Sequence, residues 1–73
     1  MENEENKLIP PVSVGDILKN QDVISEGKKG EGVIKYEGYI LFIEGAKEGD
    51  TVDVKVEKIL PKFGIGIKIN EVD

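Results

Sequence analysis

The stretch TVDVKVEKILPKFGIGIKI, residues 51–69, decides the fold of this chain. Over residues 51–60, Val52, Val54 and Val56 alternate with charged residues. This period of two is typical of a β-strand that buries one face and exposes the other. The first half of the stretch is therefore predicted to be a strand with its valines in the core.

The second half of the stretch alternates as regularly, but one of its faces carries almost no side chains. Gly64 and Gly66 alternate with large apolar residues, namely Phe63, Ile65, Ile67 and Ile69. Glycine inside a strand often marks a close approach of another backbone, as in a tightly curved barrel wall. A second interpretation is a bare patch over which a nucleotide could lie flat.

Three further strands are predicted upstream, and glycines separate them. Residues 39–43 are a continuous apolar run, and Glu37-Gly38 is a hairpin signal that joins this run to residues 32–36. Residues 17–25 supply the first strand. Because a small open sheet would expose both edges to aggregation, the five strands are expected to close into a small antiparallel barrel, an all-β fold.

The two ends differ from the body in composition. Residues 1–13 are acidic and contain a Pro-Pro pair, so we predict a disordered tail there, followed by one domain over residues 14–70 and a short tail over residues 71–73. The ends carry most of the net charge of −5. The nearly neutral body could therefore still present a positive strip, made entirely of lysines because arginine is absent.

Composition also excludes several function classes. The chain has no Cys and no His, so the hydroxyls of Ser13, Ser25 and Thr51 have no imidazole to activate them. We expect no enzyme activity, no cofactor and no metal site. Without cysteines, a signal-like N-terminus or a long apolar run, the chain is expected to be soluble, cytoplasmic and independent of membranes.

Residues 26–32, EGKKGEG, form a glycine-rich loop with two adjacent lysines. Such a loop could offer backbone N–H groups and ammonium charge to a phosphate. It could equally be a hairpin loop whose glycines supply positive φ angles. The spacing does not match a P-loop, so nucleotide hydrolysis is not expected.

Several blocks, in this order and spacing, resemble the TRAM domain: Val14-Gly15-Asp16, residues 27–33, residues 38–46, Gly49-Asp50, residues 52–60 and Lys62-Phe63-Gly64. The resemblance implies a five-stranded barrel similar to an OB fold. It also implies RNA as the partner, whether single-stranded or structured, including tRNA and rRNA. Free-standing archaeal members of the family are regarded as RNA chaperones similar in role to cold-shock proteins.

The resemblance also matches aromatic positions of the family to Tyr39, Phe42 and Phe63. Sequence context alone predicts a core position for Phe42, within the apolar run, and exposed rings for Tyr39 and Phe63, beside glycines at strand starts. The chain departs from the family's usual pattern at Lys35, Glu44 and Ile65. If Phe63 points outward, regular alternation exposes Ile65 as well.

The resulting hypothesis is a monomeric, sequence-tolerant binder of single-stranded RNA that acts as a chaperone without ATP. Bases would stack on aromatic rings while lysines follow the phosphates. The predicted RNA-binding residues are Tyr39, Phe42, Phe63, Gly64, Gly66, Lys28, Lys29, Lys35, Lys62 and Lys68. The alternative is a protein-interaction or accessory module that docks on an RNA-modifying enzyme or the ribosome, as the net charge of −5 suggests.

Overall fold

The computed structural model of the chain describes residues 10–69. This part of the chain consists of strands and turns, which confirms the all-β class, and it contains no helix that could cross a membrane. Residues 1–9 and 70–73, most of the two predicted tails, lie outside the described range. The strands are β1 (Ile17–Asp22), β2 (Ser25–Glu26), β3 (Gly32–Tyr36), β4 (Tyr39–Glu44), β5 (Thr51–Ile59) and β6 (Phe63–Ile69).

The strands form one curled sheet in the order β1-β5-β6-β4-β3-β2. Four of the five neighbouring pairs are antiparallel, but β4 and β6 run parallel. The prediction of a wholly antiparallel sheet is therefore wrong for this pair. After β4 the chain skips one position to form β5 and then returns as β6 to fill the gap, so β6 is antiparallel to β5 and parallel to β4.

The first predicted strand is divided into β1 and β2, which is why six strands are found instead of five. The division falls at Val23, whose N–H donates to Asp50 O (2.8 Å) and whose carbonyl accepts from Gly49 N (2.9 Å). The next residue, Ile24, donates to Val33 O (2.8 Å) on β3. The two edge strands of the sheet are thus consecutive in the chain, and the segment between them bonds to both sides of the curl.

The hairpin signal at Glu37-Gly38 is confirmed. Tyr36 pairs directly with Tyr39, so the turn has two central residues, with φ angles of 51° and 84°. Two positive φ angles are what a type I′ turn requires.

The core lies inside the curl, and its largest fully buried side chains are Ile34, Leu41, Ile43, Val54 and Val56. The predicted alternation of valines on β5 is confirmed, since Val52, Val54 and Val56 are all buried. Val12 is also a core residue, at 5% exposure, although residues 1–13 were expected to be a tail. A backbone bond from Gly15 N to Val56 O (2.7 Å) fixes the segment that follows Val12 against β5.

The glycines of β6 face the core. A Cβ built on Gly66 would lie 2.9 Å from Lys55 O and 3.2 Å from Ile43 Cδ1, and one on Gly64 would lie 2.7 Å from Leu41 Cδ2. The interpretation as a close approach across a curved wall is confirmed. The interpretation as a bare patch for a nucleotide is wrong, because both glycines are buried.

Gly66→Ala is expected to destabilise the fold by about 1 to 3 kcal/mol, because the added methyl meets a backbone carbonyl that cannot rotate away. Chemical denaturation with the midpoint and slope recorded would measure this. Ile67→Ala, at a neighbouring position that is 37% exposed, serves as the control and should cost less. Equal stability of Gly66→Ala and the parent would contradict the close packing of β6.

Candidate nucleic-acid interface

The side chains of β6 that do not face the core form an apolar strip on the outside of the sheet. Parallel pairing places Phe63 opposite Ile40 and Ile65 opposite Phe42. All four are half-buried. We call Ile40, Phe42, Phe63, Ile65 and Ile67 the outer strip. Because glycines occupy the inner face of β6, its large residues lie outside, where they remain accessible.

Two phenylalanines form the aromatic part of the outer strip. The rings of Phe42 and Phe63 pack edge to face, with centroids 5.3 Å apart and planes at 81°. Such pairs are a stable aromatic arrangement that leaves ring surface open to a third group. Phe42 was expected in the core from sequence context, and that expectation is wrong. Phe63 and Ile65 lie on the same face without a bulge between them.

Tyr39, unlike Phe42 and Phe63, lies on the inner face of the sheet. Its ring is buried, at 8% exposure, and its hydroxyl lies 2.7 Å from Leu60 O and 2.6 Å from Phe63 O. It shares the inner face of β4 with Leu41 and Ile43, because alternate residues of a strand face the same side. The expectation of an exposed stacking ring at Tyr39 is therefore wrong. Its hydroxyl instead fixes the turn between β5 and β6, next to Phe63.

Exposed lysines flank the outer strip on both neighbouring strands. Lys35 of β3 pairs with Ile40, while Lys58 and Lys55 of β5 pair with Ile65 and Ile67. Lys62 precedes Phe63 in the turn. The strip thus has one lysine beside it on β3 and two on β5, with Lys62 in the turn, an arrangement that suits a stacked chain with a phosphate backbone.

Sequence reasoning missed Lys55 and Lys58. The pairing of β5 with β6 shifts register between Val56 and Lys58, so one residue bulges out and Lys58 joins the face of Lys55. Strict alternation over β5 gives no sign of this shift. Lys55 could have been found, since it lies on the polar face of the valine strand.

Lys68 does not lie on this face. It pairs with Val54, whose side chain is in the core, and its Cβ would be 3.6 Å from a methyl built on Gly45. Its side chain is exposed. Its predicted contact with the RNA backbone stays a prediction, and it would be made from the opposite face of β6 to Phe63 and Ile65.

The glycine-rich loop curls around a carboxylate of its own. Glu31 Oε1 accepts a bond from Lys29 N (3.0 Å), and Gly27 N donates to Glu31 O (2.7 Å). The N–H of Lys29 that could have bound a phosphate is thus already satisfied. The side chains of Lys28 and Lys29 remain exposed, and Lys29 reaches the groove described next, whereas Lys28 does not line it.

An open groove of about 520 Å³ runs from the aromatic pair to the loop. We call it the outer groove. This volume is within the range of about 300 to 1,000 Å³ that is common for ligand sites. It is lined by residues 29–31 of the loop, by Phe42, Glu44 and Gly45, and by Phe63 and Ile65. Within residues 10–69 no cluster of acidic side chains suited to a metal ion is found.

A small curled β-sheet with accessible aromatic rings and neighbouring lysines is an arrangement typical of nucleic-acid-binding domains. Comparison with known proteins agrees. The TRAM domain family matches residues 22–69. The chain belongs to this family of nucleic-acid-binding domains.

The individual relatives include a much longer protein and one of similar length. The ribosomal RNA large subunit methyltransferase E of Halobacterium salinarum is 38% identical over 60 residues, 82% of this chain but 23% of that protein. An uncharacterized protein of Methanocaldococcus jannaschii is 30% identical over 67 residues, 92% of this chain and 86% of that one. The chain thus spans about a quarter of the methyltransferase and most of the second relative.

A solved structure confirms the fold. The solution structure of a conserved protein of Methanococcus maripaludis superposes with a TM-score of 0.77 at 26% identity. The match covers 85% of this chain and 87% of that one. The curled sheet is therefore shared with a protein of similar extent.

Proposed function

We propose that the chain binds single-stranded RNA on the outer strip and acts as a monomeric, cytoplasmic RNA chaperone without catalytic activity. The observation that carries the proposal is the edge-to-face pair of Phe42 and Phe63, half-buried on the outside between lysines of β3 and β5. Every base has a flat face that can stack on such rings, so binding of this kind tolerates many sequences.

The charge distribution supports the proposal despite the net charge of −5. Lys62 precedes Phe63, Lys35 pairs with Ile40 on the strand next to it, and Lys58 pairs with Ile65. Affinity is expected to be roughly micromolar, because a few stacked bases contribute about 1 to 3 kcal/mol each and association costs offset part of this gain.

The proposed chaperone role depends on a preference of the protein for unpaired RNA over paired RNA. A protein that binds unpaired bases lowers the free energy of melted RNA by mass action, and it needs no ATP to do so. Stacking on Phe42 and Phe63 requires unpaired bases. A hairpin RNA labelled at both ends should therefore open in fluorescence energy transfer when the protein is added without nucleotide.

The salt dependence of RNA binding tests the role of the lysines beside the outer strip. Lys58→Gln is expected to weaken binding of a short labelled oligouridine and to make the slope of log K against log salt shallower by about 0.7, as for one phosphate contact to a single strand. Fluorescence anisotropy over a series of salt concentrations measures both quantities. Lys47→Gln, in the turn between β4 and β5, removes the same charge away from the strip and is the control.

The outcomes separate two functions. An unchanged slope of log K against log salt in Lys58→Gln would mean that the phosphates do not bind at Lys58. No binding of the parent to any RNA at low salt would overturn the proposal and favour the accessory module. That second candidate is supported by the match to a domain-sized part of a methyltransferase.

A further inference from the structure

The outer groove is lined by a carboxylate, that of Glu44, which no other residue in the range 10–69 binds. Glu44 is the last residue of β4, is exposed and pairs with Ile67 across the strands. Its carboxylate makes no hydrogen bond or ion pair with any residue in the range 10–69. A negative charge beside an aromatic surface needs an explanation if that surface binds RNA.

Glu44 differs in this respect from the other carboxylate of the groove. Glu31 already accepts the N–H of Lys29 at 3.0 Å and contributes to the shape of its loop. Within residues 10–69 nothing binds either carboxylate oxygen of Glu44, which follows Phe42 by two residues on β4 and lines the same groove. It is therefore the acceptor that a bound group can reach.

The chemistry of a carboxylate limits which groups can bind next to Glu44. An ionised carboxylate only accepts hydrogen bonds, so it repels phosphate and attracts N–H groups. Next to a stacking surface, the N–H groups of RNA are on the Watson–Crick edge of a base. The part of the groove at Glu44 thus suits the Watson–Crick edge of a base whose ring stacks on the phenylalanines.

The four bases differ in how well they fit two acceptor oxygens. Guanine has N1–H and the N2 amino group side by side, so it can donate to both oxygens at once. Adenine and cytosine have one amino group beside an acceptor nitrogen, and uracil has one N–H between two carbonyl oxygens that a carboxylate repels. Charge-assisted bidentate pairing is the strongest of these arrangements.

We propose that Glu44, together with Phe42 and Phe63, forms a subsite that selects guanine in single-stranded RNA. This inference rests on the proposed RNA binding and adds a base preference to it. The phenylalanines provide stacking for any base, and the Glu44 carboxylate favours guanine. Binding along the rest of the strip stays tolerant of sequence.

The test compares oligouridines that differ in one central base, measured by fluorescence anisotropy. An oligomer with one guanosine is expected to bind about five- to tenfold more tightly than the all-uridine oligomer, the lower part of the range for a bidentate base contact. Inosine, which lacks the N2 amino group, should lose most of this gain. Adenosine should fall between guanosine and uridine.

Glu44→Gln distinguishes selection from simple charge. The variant should lose the guanosine preference while it binds the all-uridine oligomer as well as the parent or better, since a repulsive charge is gone. Glu57→Gln, at an exposed position of β5 that does not line the groove, removes the same charge and should keep the preference. Melting curves of both variants should match the parent.

Two results would overturn the inference and leave the proposed function intact. One is equal binding of all the oligomers by the parent, and the other is a guanosine preference that survives in Glu44→Gln. Failure of every oligomer to bind, including the all-uridine one, would overturn the RNA-binding function itself and the subsite with it.

Discussion

Tyr39→Ala is expected to cost about 3 to 5 kcal/mol of stability, as is usual when a large aromatic residue is removed from a core. The ring packs against the inner face of β6, where a methyl built on Gly64 would lie 3.1 Å from Tyr39 Cε2. A small domain has only about 5 kcal/mol or somewhat more in total. The variant should therefore keep little or none of the parent's stability and melt far below it, as followed by circular dichroism.

Tyr39→Phe separates the ring from the hydroxyl. It keeps the buried ring and loses the hydrogen bond to the turn between β5 and β6, so a cost of about 1 kcal/mol is expected. A folded Tyr39→Ala protein that had lost only RNA binding would show that the ring of Tyr39 lies on the surface and not in the core.

The double variant Phe42→Ala and Phe63→Ala is expected to lose RNA binding almost completely while it stays folded. Each ring contributes about 1 to 3 kcal/mol per stacked base, so each single variant should weaken binding by roughly five- to a hundredfold. The salt slope should barely change, because no charge is removed. Anisotropy with oligouridine measures the binding, and the melting curves show whether the half-buried positions tolerate alanine.

Val14→Ala is the matched control for this pair. It removes an apolar side chain that is 62% exposed in the segment before β1, outside the outer strip. Its RNA affinity should equal that of the parent. If the double variant remained folded and bound RNA as well as Val14→Ala does, the outer strip would not be the binding surface.

The alternation in residues 51–56 and 63–69 was enough to predict which side chains share a face, but not which face is inside. For β5 the choice was clear, since valines alternate with charges. For β6 the apolar face is outside and the glycine face is inside, because Leu41 and Tyr39 already fill the space that side chains at positions 64 and 66 would need. This depends on strands that are distant in sequence.

The same limit explains the exchange of roles between Tyr39 and Phe42. Both residues belong to one apolar run, which predicts a strand but does not distinguish its two sides. Their positions follow from the two-residue turn at Glu37-Gly38, which sets the register of β4 against β3. The lysine positions on β5 depend in a similar way on a register shift that leaves no mark in the sequence.

The position of β6 has a consequence for how the chain acquires its structure. The last of the described strands along the chain lies in the middle of the sheet, between β5 and β4. Until residues 63–69 are available, the hairpin of β3 and β4 and the pair of β1 and β5 have no strand between them. The complete sheet therefore depends on pairings between distant segments, such as Ile40 with Phe63 and Ile17 with Lys55, which slow folding. A chain shortened before Phe63 would lose the strand that joins β4 to β5 in the sheet, and its two halves would be linked only through the segment at Val23 and Ile24 within the described residues.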